Sequence, residues 1–290
     1  MFTGMPGDGA RNLGDRARAA LAGSRFADVR WVASTGSTNA DTLALARDGA
    51  AEGVVVVADH QTAGRGRYDR AWVAPPGGSL LVSVLLRPPS PVASTATMAT
   101  AVAMAEAVEE VTGVSPGLKW PNDLVLAGEG GERKLAGILA EADWPATATI
   151  SAGWREPSAH ERAVIVVGIG LNVSWPDHDD AVREVAGRAV ALNWVTPERV
   201  DRVSLLVAFL RRLEQTYGQL VSGDHRPVMD EWRRRSATLG RRVRVDLGAE
   251  DIEGTAVDVT AEGHLVVEPL GGQRRTFAVG DVVHLRDAND

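Results

Sequence analysis

The chain has 290 residues, 44% hydrophobic and 24% charged, which is the balance of a soluble globular protein with room for about two domains at roughly 150 residues each. The formal net charge of −7 argues against non-specific coating of nucleic acid, and the absence of cysteine excludes disulfide scaffolds, thiolate metal sites and a Cys nucleophile. No run of about 18 apolar residues offers a membrane span, so a cytoplasmic protein without a membrane partner is expected.

Residues 1–14 are Gly-rich and polar, with no apolar stretch for a signal peptide, and read as a flexible leader. Arg16–Leu21 reads as a short helix and Arg30–Ala33 as a short strand, which puts leader and helix in residues 1–29. Ser37, Thr38 and Asn39 offer caps to a helix over Ala40–Arg47, with Asp41 in its first turn and Gly49 after its last. Val54–Ala58 and Ser79–Leu86 are continuous apolar runs, read as buried strands joined through the loop Asp59–Trp72. Pro91–Thr112 is an Ala-rich helical segment. Short β segments follow at Gly117–Trp120, Asp123–Ala127, Leu135–Ala140 and Val164–Val173. Residues 143–162 between the last two are polar and read as an extended, mobile hairpin loop. Glu198–Leu220 is a long amphipathic helix, and Pro227–Ser236 a short one ending in Arg233, Arg234 and Arg235. After residue 237 five short alternating strands at about 8–12-residue spacing predict a small barrel or sandwich.

Three segments carry chemistry. The loop Gln61-Thr62-Ala63-Gly64-Arg65-Gly66-Arg67-Tyr68-Asp69-Arg70 joins glycines that allow close backbone approach to arginines that can fork onto carboxylate or phosphate oxygens; it reads equally as a solvated basic loop. Lys119-Trp120-Pro121-Asn122-Asp123 is either a turn or a carboxylate and amide placed near a nucleotide or Mg²⁺. In Lys134-Leu135-Ala136-Gly137 the glycine inside a strand marks a close approach to the backbone. Gly168-Ile169-Gly170-Leu171-Asn172 imitates the start of a dinucleotide fingerprint but lacks its third glycine, and is read as a false positive. The six histidines have no metal-ligand spacing, so no metal site is expected.

In this order, Ser37-Thr38-Asn39, Gly64-Arg65-Gly66-Arg67, Lys119 to Asp123, Lys134 to Leu139 and Gly168 to Asn172 resemble the biotin protein ligase family. The resemblance implies an α+β fold: a class II synthetase-like, biotin-ligase-like mixed sheet with flanking helices over residues 30–236, then a small SH3-like β-barrel over residues 237–290. It implies ATP-dependent biotinylation, through biotinyl-5′-AMP, of a lysine on the biotin carboxyl carrier domain of acyl-CoA carboxylases. ATP with Mg²⁺ and biotin would be the substrates. Lys134, Arg65 and Arg67 would be catalytic. Ser37, Thr38, Asn39, Gln61, Gly64, Gly66, Trp72 and Gly137 would hold biotin, and Arg65, Arg67, Arg70, Lys119, Asn122, Asp123, Lys134 and Asn172 would hold ATP.

Asp69 departs from the glycine of many relatives and sets an acid in a cation-rich loop. Some 36 residues precede Ser37, too few for the winged-helix domain of repressor members, so no DNA partner is expected. The alternatives are a lipoate-type acyl ligase on the same scaffold and a biotin-sensing regulator. Of 31 basic residues only Lys119 and Lys134 are lysines, and both head a motif of the expected site.

Overall fold

The computed structural model describes residues 8–128, 131–143, 149–150, 153–154, 162–176, 180–185, 187–248, 250–278 and 280–285. Strands β1 (Val29–Thr35), β2 (Val55–Gln61), β3 (Ser79–Leu86), β4 (Gly117–Lys119), β5 (Asp123–Gly128), β6 (Gly131–Asp143) and β9 (Val164–Asn172) form a seven-stranded sheet in the order β1-β2-β3-β9-β6-β5-β4. Only β1 and β2 pair in parallel; every other neighbouring pair is antiparallel. Strands β7 (Thr149–Ile150) and β8 (Gly153–Trp154) form a separate two-stranded ribbon. Residues 144–148, 151–152 and 155–161 of the expected 143–162 hairpin loop, like residues 1–7 of the expected leader, lie outside the described residues.

The alternation of side chains along β2, β3 and β9 sorts the packing into two layers. Val55, Val57, Val82, Val84, Ile165 and Val167 face the main core, which holds helices α1 (Asp8–Ala20), α3 (Ala96–Thr112), α5 (Arg202–Val221) and α6 (Arg226–Arg235). Val54, Val56, Leu85 and Val166 point the other way, onto Ala46 of α2 (Thr38–Arg47). Short helix α4 (Asp180–Val185) completes a third cluster with Trp175 and Ala191.

Two helices differ from the sequence reading. Residues 8–14, expected in the leader, are helical: Ala10, Gly14, Ala17 and Leu21 recur at helical spacing and are buried. The glycine conceals this pattern, yet it allows the close approach, since a Cβ on Gly14 would lie 3.2 Å from that of Trp31. Helix α5 starts at Arg202 rather than Glu198, because the Asp201 carboxylate accepts the Ser204 amide as an N-cap.

Strands β10 (Arg242–Asp246), β11 (Asp251–Val259), β12 (Leu265–Pro269), β13 (Arg275–Phe277) and β14 (Asp281–His284) build a second, fully antiparallel sheet in the order β13-β12-β11-β10-β14. A bulge between Ala256 and Asp258 interrupts the register of β11 and β12, a device that bends a strand. Its core, from Val243 to Val282, is continuous with that of the large sheet. No helix among the described residues is long and apolar enough to cross a membrane.

Polar contacts through Trp120 and Glu132 join the sheets. Trp120 donates its backbone N–H to Thr238 Oγ1 (3.0 Å) and its indole N–H to the Gly263 carbonyl (3.0 Å). Glu132, 11% exposed, lies 2.8 Å from His284 Nδ1 and 3.1 Å from Arg241 Nη2. Burial acts to raise the Glu132 carboxyl, but the close His284 contact and the nearby His284, Arg241 and Lys119 charges outweigh it and hold it below the ordinary 4.5. A depressed folded-state value gives stability that is complete above pH 4.5 and is lost as pH falls through the folded value. Glu132→Gln is therefore expected to destabilise the protein by about 1.5–3 kcal/mol at pH 7. Its deficit should shrink once the pH drops below that range, as read from urea unfolding across a pH series.

Candidate active site

A cleft of about 710 Å³ opens on the α2 side of the large sheet, with β14 and the end of β10 on its rim. It is lined by Ser37, Thr38, Asn39, Gln61, Arg65, Gly66, Arg67, Arg70, Trp72, Lys119, Asn122, Asp123, Lys134, Gly137 and Asn172. Every residue expected at the site is thus brought to one place except Gly64. That residue lies behind the lining, where a Cβ would meet the Trp72 carbonyl at 2.7 Å and the Gln61 amide at 2.9 Å.

The floor is made by missing side chains. Gly137 of β6 and Gly170 of β9 are register partners, and Gly168 lies two residues back on the same face. A Cβ on Gly170 would come within 2.3 Å of the Trp72 ring, and one on Gly137 within 2.9 Å. A Cβ on Gly168 would meet Asn39 Oδ1 at 2.0 Å. The Gly-Ile-Gly-Leu-Asn segment, dismissed as a false fingerprint, is hence a strand with one face bare, and period two is the signal that could have found it.

Trp72 reaches this floor on a hairpin. Its N–H donates to the Gly64 carbonyl (2.9 Å), Arg65 pairs with Ala71, and the Gly66 N–H donates to the Arg70 carbonyl (2.7 Å). At the tip Tyr68 and Asp69 both sit at φ 54°, a left-handed conformation that costs an L-residue roughly 1–2 kcal/mol. Asp69, expected to place an acid among the cations, is exposed and does not line the cleft. The acids come from elsewhere: Glu141 pairs with Arg65 (3.1 Å), and Asp281 with Arg67 (3.4 Å) and Arg70 (2.5 Å).

Lys134 owes its direction to a β-bulge. On β5, Leu124 pairs with Ala136 but Val125 pairs with Lys134, so Leu135 is an extra residue. Without it, Lys134 would share the core face of Ala136 and Ile138. With it, Leu135 and Ala136 are both fully buried in the core while Lys134 turns to the side of Gly137. Its ammonium lies 2.7 Å from Asp123 Oδ1 and 5.5 Å from the Trp72 ring centroid. This is an ion pair by distance, without the direction of a hydrogen bond. Asn122 donates to the Ile138 carbonyl (2.8 Å), which anchors the loop that carries Asp123.

At the other end, the Gln61 side-chain carbonyl accepts from the Thr38 N–H (2.7 Å) and the Thr38 hydroxyl (3.0 Å). Ser37 caps α2. The Ser83 hydroxyl, with one proton to give, lies 2.6 Å from Asn39 Oδ1 and 2.7 Å from Thr38 Oγ1, and the Asn39 amide donates to Glu141 (2.8 Å) and the Leu139 carbonyl. Asn172 donates to the Val190 carbonyl (3.1 Å). Its Oδ1 and the Trp72 indole N–H are buried without a hydrogen-bond partner among the described residues. Sequence reasoning missed Glu141, Gly168, Gly170 and Asp281. The first three follow from strand alternation through residues already flagged, whereas Asp281 lies over 200 positions from its partners.

Residues 31–150 match the Biotin/lipoate A/B protein ligase family, and residues 238–285 match the Biotin protein ligase C terminal domain. The chain is 38% identical over 284 residues to the biotin–[acetyl-CoA-carboxylase] ligase of Mycobacterium tuberculosis, covering 95% of each. It is 30% identical over 248 residues to the bifunctional ligase/repressor BirA of Bacillus subtilis, covering 83% of this chain and 70% of the relative. The solved biotin protein ligase of Aquifex aeolicus in complex with biotin and ATP superposes with a TM-score of 0.70 at 25% identity, over 90% of this chain and 100% of that one.

Gly168→Ala should destabilise the fold by about 1–3 kcal/mol through overpacking against Asn39. Thermal unfolding measures this, and the exposed Gly187, with open space around it, serves as the control.

Proposed function

The chain belongs to the biotin protein ligase family, and on that premise we propose that it joins biotin to ATP as biotinyl-5′-AMP and passes the biotinyl group to a lysine of a biotin carboxyl carrier domain. In this reading residues 30–236 are the catalytic unit and residues 237–290 a smaller C-terminal unit. The observation that carries it is the convergence of Lys134, Arg65, Arg67 and Arg70 on one cleft whose floor is bare glycine beneath Trp72.

The first step brings a carboxylate oxygen against the α-phosphate. Two anionic oxygens about 4 Å apart repel by roughly 4 kcal/mol at an effective dielectric near 20. Lys134 is assigned to the point between them, where its ammonium offsets that repulsion and the charge growing on the phosphoryl oxygens. The carboxylate attacks phosphorus and pyrophosphate leaves. In the second step the carrier's lysine amine attacks the acyl carbon and AMP leaves.

Arg65 and Arg67 are assigned to phosphate and carboxylate oxygens. Each faces a carboxylate, Glu141 and Asp281 respectively, and a guanidinium carries five N–H donors, so a phosphate oxygen can be bound beside that partner. Ser37, Thr38, Asn39 and Gln61 are assigned to the polar ring of biotin, and Trp72 and Gly137 to its apolar part. Arg70, Lys119, Asn122, Asp123 and Asn172 are assigned to the nucleotide side. The orphan Trp72 N–H and Asn172 Oδ1 give a polar ligand two groups to satisfy. Mg²⁺ enters as the complex with ATP. The match to the C-terminal domain of biotin ligases over residues 238–285 favours biotin over lipoate as the acid.

Purified protein should catalyse biotin-dependent exchange between ATP and pyrophosphate, with no stimulation by lipoate. Folded protein without exchange would contradict the reading. Lys134→Arg should lose about 10²-fold or more of this exchange although charge is retained, since a planar fork cannot take the place of a compact ammonium between two anions.

A further inference from the structure

Resting on the ligase reading, we propose that Asp281, the first residue of β14, is a positioning residue that holds the arginine hairpin over the cleft, so that the second sheet retains the acyl-adenylate between the two steps.

The contact is specific in its chemistry. Asp281 Oδ2 accepts from Arg70 Nη2, and Oδ1 from Arg67 Nη1. Both terminal nitrogens of Arg67 also donate to the Gly280 carbonyl at 3.2 Å. Two guanidinium groups on the hairpin thus meet a carboxylate and a carbonyl on the sheet, donors against acceptors. Asp281 is 27% exposed, and among the described residues these two arginines are its ion-pair partners. Gly280 suits the position: at φ 142° it brings its carbonyl to the hairpin, and a Cβ there would meet Val245 Cγ1 at 2.9 Å.

The hairpin needs such a tie. Its base is fixed by backbone hydrogen bonds around Gly64, Gly66 and Trp72 and by the Arg65–Glu141 pair. Its tip carries two residues in the left-handed region and exposes Tyr68 at 62%. Arg67 and Arg70 both lie over the Tyr68 ring, at 4.9 and 5.9 Å from its centroid, and Arg67 donates to the Tyr68 hydroxyl (3.0 Å). Tyrosine and arginines therefore form one block, and Asp281 with Gly280 fastens that block to a different sheet. Asp281, Val282 and Val283 also line the cleft, so this contact closes one of its walls.

Charge supports the same role. Arg65, Arg67 and Arg70 line the cleft and set cations beside the single negative charge of an acyl-adenylate phosphate. Once pyrophosphate has left, the site must keep that monoanion in and keep out the water that would split it to biotin and AMP.

The test compares the full chain with Asp281→Asn, Asp281→Glu and Glu250→Gln. The last breaks an exposed pair with Arg275 on the same sheet, outside the cleft lining. One readout is the rate at which biotinyl-AMP, formed in place from biotin and MgATP, appears free in solution. The other is the rate of tryptic cleavage at Arg65, Arg67 and Arg70 without ligands. Asp281→Asn should raise adenylate escape about fivefold or more and speed hairpin cleavage, as loss of charge-assisted bonds requires. Asp281→Glu should restore both, and Glu250→Gln should change neither. Escape that is unchanged or slower in Asp281→Asn would overturn the proposal, as would equal effects in Glu250→Gln. Wild-type protein that forms no adenylate would contradict the ligase reading instead, and hairpin cleavage would still decide whether Asp281 is the tie.

Discussion

Gly137 and Gly170 face one another across β6 and β9, and the Trp72 indole fills the space that their side chains would take. The rest of the cleft follows from this contact. Trp72 can lie there because the Gly64–Trp72 hairpin folds tightly, and that hairpin delivers three arginines to the rim. Lys134 stands over the same ring because one extra residue, Leu135, turns it out of the core. A packing constraint and a strand irregularity together set the charges on one aromatic floor.

The charges are arranged as partners for anions. Glu141, Asp281 and Asp123 hold Arg65, Arg67 with Arg70, and Lys134 respectively, so each cation has a defined position. Preorganised cations cost little reorganisation when a phosphate binds beside them. Two of these acids come from within the large sheet and the third from the second sheet, which makes the second sheet part of the cleft wall. The Trp120 and Glu132 contacts that join the sheets lie beside the same lysine motifs.

Much of this was legible in the sequence. Apolar runs at Ser79–Leu86 and Val164–Val173 marked central strands, Ser37 marked the start of α2, and the five late strands marked the second sheet. The ordered motifs named much of the cleft lining, whereas Trp175, Glu184, Arg188, Asp246 and the β14 residues were outside them. What escaped has physical reasons. Helix α1 packs through Ala10, Gly14 and Ala17, small residues that leave a weak periodic signal. Gly168 and Gly170 act by absence, which composition reads as looseness rather than as a floor. The bulge at Leu135 breaks strand alternation, so a simple period assigns Lys134 to the core. Asp281 carries no local signal, because its role exists only once two sheets meet.

The most direct test of the glycine floor is calorimetric titration with a non-hydrolysable biotinyl-adenylate analogue, comparing wild type with Gly170→Val. Wild type should bind tightly. Gly170→Val should lose at least about 10²-fold in affinity, roughly 2.7 kcal/mol, while still unfolding cooperatively, because a side chain at Gly170 displaces Trp72. Equal affinity of the two proteins would contradict the glycine floor.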